Sequence, residues 1–248
     1  PERLEPFLKA IRAKHPEIKV IGSSGPSPDG KDFEYGWNEM KRLKADLVDE
    51  HYYKDPAWFL ANAKRYDNYD RKVPKVFAGE YAFHPNNRKN NFESALSEAA
   101  FMTGFERNAD IVQMCTYAPL FAHVDGWQWR PDLIWFDNMR SVRSANYYVQ
   151  QLYGHNVGTN VLTTVENKAP LAGQDGLYAS SALDKTKNEI ILKIANTSDV
   201  AKTVNYSFKG LKAAERNATH TILKSVDQDL ENTLDQPNAI VPVTQQIK

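Results

Sequence analysis

The stretch from Lys75 to Pro85, KVFAGEYAFHP, puts a carboxylate where a strand has little use for one. Val76, Phe77 and Ala78 form an apolar run that passes through Gly79 into Glu80, with aromatic residues immediately after. Burying that charge without a partner is costly. Three readings fit Glu80 by itself: a solvated first loop residue, an ion-pair partner for an arginine, or a carboxylate aimed into a cleft to act on a bound molecule. Gly79 tilts toward the third, because a missing side chain lets a ligand or a neighbouring strand approach closely.

Two further clusters could serve such a carboxylate. In DEHYY, residues 49–53, the alternation of a strand puts Asp49, His51 and Tyr53 on one face and Glu50 and Tyr52 on the other. His51 and Tyr53 could hydrogen-bond sugar hydroxyls or orient a carboxylate; the plainer reading of His51 is a histidine hydrogen-bonded within a sheet rim. HVDGWQWRPDLIWFDN, residues 123–138, reads as one long loop holding Trp127, Trp129, Trp135 and Phe136. Aromatic faces stack against the C–H face of a sugar ring, although Trp135 and Phe136 equally suit a loop folded over its own apolar residues. Other chemistries are poorly served. The six histidines show no metal-ligand spacing, GSSGPSPDG lacks the phosphate-loop pattern, and no nucleophile-elbow motif occurs. Cys115, the only cysteine, falls in an apolar run and reads as a packed residue. No metal or cofactor is expected, and carboxylate chemistry is what remains.

The elements that must hold these residues follow from periodicity. Four short apolar runs begin at Ile18, Ala45, Lys75 and Asp110 and read as strands. Helical patterns cover residues 33–44, 56–69, 91–108 and 141–153, and a leading helix carries Leu4, Phe7, Leu8 and Ile11. In residues 91–108, Phe92, Leu96, Ala99 and Thr103 share one face, behind an asparagine pair that can cap the N-terminus. Strand and helix in alternation signal βα units around a parallel sheet, and chemistry on such sheets gathers at the C-terminal strand tips, where all three clusters fall. From about Asn156 the pattern turns β-like, with runs at residues 176–184, 189–198, 202–210 and 218–225. Four βα strands are half of the eight that a closed barrel needs. The leading helix favours the second half of a (β/α)₈ TIM barrel (strands five to eight) over an open four-stranded sheet.

Composition narrows the partners. Lysine plus arginine and aspartate plus glutamate both number 31 in 248 residues, so no basic surface suggests nucleic acid. No apolar stretch is long enough for a membrane-spanning helix. The chain opens directly in a helical pattern without an initiator methionine, so it is expected to start in mid-architecture, which leaves the compartment open.

With LVDEHYY, KVFAGEYA, MCTYAPLFAHVDGWQWRPDLIWFDN and SANYYVQQLYGHNVG occurring in this order, the chain resembles the α-L-arabinofuranosidases of glycoside hydrolase family 51. The resemblance implies a retaining enzyme that releases arabinofuranose from arabinan or arabinoxylan. It assigns residues 1–155 to the C-terminal half of the catalytic barrel. Residues 156–248 would be a partial, jelly-roll-like antiparallel β-sandwich that stops before its last strand is complete. It makes Glu80 the nucleophile at the tip of the seventh strand, and His51 and Tyr53, after the sixth, sugar-binding residues. His123 and Trp127, in the loop after the eighth strand, become further substrate-binding candidates. The family's acid/base is a glutamate in an Asn-Glu pair at the tip of the fourth strand. Asn38-Glu39 is such a pair but sits in a helical pattern, so the acid is expected upstream of this chain and the piece alone to be inactive. The expected partners are an arabinose-containing glycan, with no nucleic acid or membrane, and either the missing half or a second copy. Two alternatives stay open: another retaining barrel glycosidase, such as a β-xylosidase or endoglucanase, and a non-catalytic carbohydrate-binding protein.

Overall fold

The computed structural model describes residues 2–210 and 217–247. At its centre, β1 (Ile21–Ser23), β2 (Leu47–Lys54), β3 (Lys75–Phe83) and β4 (Val112–Tyr117) pair in parallel in the order β1-β2-β3-β4. Helix α1 (Leu4–Lys14) precedes β1, α2 (Lys31–Leu43) and α3 (Pro56–Ala61) follow β1 and β2, α4 (Phe92–Arg107) follows β3, and α5 (Ala145–His155) comes after β4. These are the βα units that the apolar runs imply.

Helix ends differ from the periodic reading where side chains intervene. The pattern over residues 56–69 divides into α3 and a short 3₁₀ turn (Arg65–Asn68), because the Asn62 amide folds back onto the Trp58 carbonyl at 2.8 Å. Helix α5 starts after Ser144, whose hydroxyl caps the Tyr147 N–H, and it runs through Gly154 to His155. Residues 141–143 belong instead to a small three-stranded sheet of β5 (Phe121–His123), β6 (Ile134–Phe136) and β7 (Ser141–Arg143). Much of the expected long loop is therefore structured, and Trp135 is buried with Ala122 and Val142.

One face of the parallel sheet packs on helices. Val48, Tyr52, Val76, Ala78, Tyr81 and Phe83 meet Phe59, Phe101 and Phe105 there. Glu50 is also on this face, with none of its surface exposed. Its Oε1 accepts from Trp37 Nε1 (2.7 Å) and Tyr69 OH (3.0 Å), and its Oε2 accepts from Tyr52 and Tyr66 and faces Arg65 Nε at 3.4 Å. A buried carboxylate is tolerated when its lone pairs are filled in this way.

Helix α4 is covered on both sides. Beyond it lie β8 (Asn160–Leu162), the two-residue strands β9 (Val165–Glu166) and β10 (Ala169–Pro170), β11 (Ala172–Gln174), β12 (Leu177–Asp184) and β13 (Glu189–Asn196). β12 pairs antiparallel with β13 over eight residues and with β8 and β11 on its other edge. Ala100 of α4 packs with Tyr178 and Ala195 of this sheet, while Phe101 and Phe105 face the parallel one. Glu106 ties the layers together, accepting from Ser180 and from Lys193, which also donates to the Asn156 carbonyl at 2.7 Å. The helix thus buries two faces where its pattern suggested one. β14 (Ala218–Ile222) and β15 (Val243–Ile247) form a separate antiparallel pair.

Residues 202–208 are not a strand, despite the alternation of Val204, Tyr206 and Phe208. Alternation prepares a half-buried face, but a strand also needs a neighbour to pair with, and none among the described residues offers one. Residues 228–240 return to the first layer: Phe92 and Glu93 N–H donate to the Leu230 and Gln228 carbonyls, and Ile240 is buried in the core. No helix among the described residues is long and apolar enough to cross a membrane.

Glu98, fully buried on α4, has its carboxyl pushed up from 4.5 to about 8 by burial, partly offset by Asn146, the Phe83 backbone and Gln150. Between those two values the unfolded chain has released a proton that the folded chain keeps, so stability falls as pH rises, by up to about 1.4 kcal/mol per pH unit. Glu98→Gln is expected to remove this part of the slope, so that denaturant midpoints measured from pH 5 to 8 fall less steeply than those of the unaltered chain. Parallel slopes for the two proteins rule the assignment out.

Candidate active site

The central feature is an irregularity in β3. Glu50 and His51 are consecutive on β2, yet their partners on β3 are Ala78 and Glu80. On the other side, Cys115 and Tyr117 are two apart while their partners Ala78 and Tyr81 are three apart. Gly79 is thus an extra residue, a β-bulge, which changes the phase of the strand. Before it, Val76 and Ala78 face the helices; after it, Tyr81 and Phe83 do. Strict alternation would put Glu80 on the helix side with Val76 and Ala78. The bulge turns it to the opposite, open face, where its side chain is 44% exposed.

The bulge must be glycine because of what lies beside it. A Cβ at Gly79 would stand 2.0 Å from Asp49 Oδ1. The Gly79 carbonyl accepts from the Thr116 hydroxyl at 2.6 Å, which anchors the bulge to β4. Asp49, seated in this gap, meets His51 Nε2 through Oδ2 at 2.9 Å. His51 Nδ1 lies 3.5 Å from Glu80 Oε2, and Tyr53 OH donates to the same oxygen at 2.7 Å. Asp49, His51 and Tyr53 occupy alternate positions of β2 and share the open face.

The charges in this cluster are mutually dependent. The bond to Asp49 raises the His51 pKa above 6.5, against the effect of burial, and Glu80 adds to the rise. Burial first, and then the bond to Glu80, hold the Tyr53 phenol far above its ordinary range, so it remains a donor. Asp132, buried beside this face, has its carboxyl pushed up to about 6 by burial, with Arg130 pulling the other way. Its charge also acts on Tyr53. Among the described residues, no three His, Cys, Asp or Glu side chains converge as metal ligands would.

Of the residues singled out in the sequence, Glu80, His51 and Tyr53 come together, Tyr53 through a hydrogen bond to Glu80 and His51 as a neighbour 3.5 Å from the same oxygen. His123 and Trp127 make their contacts elsewhere. His123 accepts from the Asp125 N–H at 3.2 Å, lies 3.3 Å from Asn138 Oδ1 and sits edge-on to Phe136. Trp127 packs edge-on against Trp135, with the Arg130 guanidinium 5.4 Å from its ring centre. The loop instead brings Trp129 to Tyr53, with ring centres 6.1 Å apart, and His84 lies beside Tyr53 with its ring tilted by 31° and ring centres 5.3 Å apart. Sequence reasoning missed His84; its one signal was a histidine four residues beyond Glu80, at the end of the same strand. Asn38 and Glu39 lie within α2, where Glu39 pairs with Arg42 on the surface. Cys115 is exposed along β4, an edge strand of its sheet among the described residues, while burial pushes its thiol pKa up where it meets Tyr81.

Two family profiles cover the chain: "Alpha-L-arabinofuranosidase 1 domain" over residues 1–71 and "Alpha-L-arabinofuranosidase C-terminal domain" over residues 69–248. An extracellular exo-α-L-arabinofuranosidase of Streptomyces chartreusis is 50% identical over 181 residues, 71% of this chain and 22% of that protein. α-L-Arabinofuranosidase 2 of Arabidopsis thaliana is 31% identical over 240 residues, 95% of this chain and 33% of its own length. Among solved structures, the arabinose-bound MgGH51 α-L-arabinofuranosidase superposes over the whole chain with a TM-score of 0.86 and 30% identity, and the match takes up 39% of that structure. The chain therefore spans about a fifth to two fifths of these three proteins. It belongs to the α-L-arabinofuranosidases of glycoside hydrolase family 51 and corresponds to their C-terminal part.

Proposed function

We propose that this chain is part of a retaining α-L-arabinofuranosidase in which Glu80 is the nucleophile. The observation that carries this reading is the Glu80 carboxylate, turned by the Gly79 bulge onto the open face and gripped by Tyr53 and His51. In the parallel order β1-β2-β3-β4, residues 1–155 are read as strands five to eight of a (β/α)₈ barrel, with residues 156–248 as the attached β-sandwich. The outer edges of β1 and β4, with Ile21 and Met114 exposed, are then covered by the other half of the barrel or by a second copy. The proposed substrate is an arabinofuranosyl side chain of arabinan or arabinoxylan type. His51 and Tyr53 line its site, and His123 and Trp127, in the segment that follows β4, are proposed as further substrate contacts.

In this mechanism a Glu80 oxygen bonds to the anomeric carbon as the bond to the leaving sugar oxygen breaks. A second carboxylic acid, about 5 Å away in enzymes of this type, protonates that oxygen. Water then attacks the same carbon, gives its proton to the second carboxylate and releases Glu80, so configuration is retained. Tyr53 and His51 hold the attacking oxygen, and Asp49 holds His51. The second acid is assigned to a part of the enzyme outside this chain, since of the two Asn-Glu pairs Glu39 is committed to Arg42 on a helix and Glu189 opens β13 in the antiparallel sheet.

Three expectations follow from these roles. In the full-length enzyme, Glu80→Gln is expected to lower turnover of an aryl α-L-arabinofuranoside by on the order of 10³-fold or more with the fold intact; turnover within a few-fold of the unaltered enzyme excludes the nucleophile role. The 248-residue chain assayed by itself should show little or no hydrolysis, and activity matching the full-length enzyme contradicts the placement of the acid elsewhere. Gly79→Ala pushes Asp49 out of its seat, so its effect on kcat/KM should overlap that of Asp49→Ala, each on the order of tenfold or more. A double mutant whose losses simply add would break the proposed link between bulge and histidine.

A further inference from the structure

Crowding by Asp49 excludes a side chain at position 79, but it does not hold a glycine in place. Glycine has the freest backbone of any residue, and without a side chain it can be gripped only through its N–H and carbonyl. Gly79 and Glu80 of β3 stand between the pairs Ala78–Cys115 and Tyr81–Tyr117, where β4 supplies Thr116 alone. The backbone ladder is disrupted at such a bulge, and there the Thr116 hydroxyl donates to the Gly79 carbonyl at 2.6 Å. A side chain of β4 thus bridges the two strands where their residue-for-residue pairing lapses. Threonine suits this task, because its branched Cβ restricts χ1 and so fixes the direction of the hydroxyl. On the other side, the tip of β2 is held by Ser24, whose N–H and hydroxyl both donate to the Asp49 carbonyl, at 2.9 and 3.0 Å. Glu80 is the residue after the bulge. Tyr53 holds its carboxylate, and its backbone begins at the carbonyl that Thr116 grips.

We propose that Thr116 is a positioning residue of the site, whose hydroxyl locks the Gly79 bulge and so sets the direction in which Glu80 attacks. The proposal rests on the reading of Glu80 as nucleophile. Attack on an anomeric carbon tolerates little error, since a displacement of about 1 Å can cost on the order of a hundredfold in rate. Thr116 is exposed, and a substitution of the same shape there leaves the core untouched. Loss of the hydroxyl therefore acts on the aim of Glu80 rather than on folding.

The test uses the full-length enzyme, with an aryl α-L-arabinofuranoside as substrate and free arabinose as a competitive inhibitor that reads binding alone. Thr116→Val keeps the branched shape and loses the donor. It is expected to lower kcat/KM on the order of tenfold, with the arabinose inhibition constant within about twofold of the unaltered enzyme. Its thermal midpoint should stay within about 3 °C. Thr116→Ser, which returns the hydroxyl, should recover most of the lost rate. Combined with Gly79→Ala, Thr116→Val should cost less than the product of the two single effects, because both act through the bulge. A kcat/KM for Thr116→Val within about twofold of the unaltered enzyme overturns the proposal. So does an inhibition constant that rises in step with the loss, which marks a direct sugar contact. A Thr116→Ser enzyme as slow as Thr116→Val overturns it too, because the hydroxyl is then not the agent. Failure of the nucleophile reading shows on a different observable, undiminished turnover by Glu80→Gln.

Discussion

One steric constraint organises the open face of the sheet. The Asp49 carboxylate and the Phe77 ring occupy the space that a side chain at position 79 would need, so any residue but glycine there displaces them. That fit requires glycine, and the glycine sits in the bulge that carries Glu80 from the helix face to the open face. The same carboxylate fixes His51, whose other nitrogen faces Glu80. The position of the carboxylate and its electrostatic surroundings are therefore consequences of one packing event. β-Bulges beside functional sites commonly re-aim a side chain in this way.

The opposite face of β2 supplies the rigidity that such a site needs. Asp49 and Glu50 are adjacent in sequence but point to opposite sides of the strand. Asp49 lies on the face that carries Glu80, against His51, whereas Glu50 is enclosed by Trp37, Tyr52, Tyr66, Tyr69 and Arg65. Burial and the Glu50 charge raise the Tyr52 and Tyr66 phenols well above their usual range, so both remain donors. Arg65 lies over the rings of Phe33, Tyr52, Trp58 and Tyr69, and so joins α2, α3 and the 3₁₀ turn to the strand. A strand clamped in this way on one side can present His51 and Tyr53 on the other with little freedom to move, as a preorganised site requires.

Helix α4 extends that support to the antiparallel sheet. It is buried on both sides, which explains why its residues are small or apolar nearly all round rather than striped. Glu106, Ser180 and Lys193 form a polar fastening at its C-terminal end. The return of residues 228–240 onto the N-terminus of α4 closes the other end. The strand tip bearing Glu80 is thus backed by two layers.

Much of this arrangement was legible in the sequence, because buried parallel strands read as short apolar runs and helices as a 3.6-residue repeat. Those patterns are local, and they determined β1 to β4, the helices between them, the antiparallel strands β12 to β14, and the alternation of Asp49, His51 and Tyr53. The grouping of Glu80 with His51 and Tyr53 needed only neighbouring strand tips. Features that depend on a partner distant in the chain were not legible. The bulge is invisible until the registers with β2 and β4 are known, the alternation of residues 202–208 lacks a strand to pair with among the described residues, and residues 56–69 divide where Asn62 turns back. Which aromatics of a long loop reach the site depended on how β5, β6 and β7 fold it, and this brought Trp129 to Tyr53 while His123 and Trp127 made other contacts. Residue types and short spacings determined which chemistry was possible, whereas tertiary packing decided which side chains face one another, because a side chain's direction depends on what fills the space beside it.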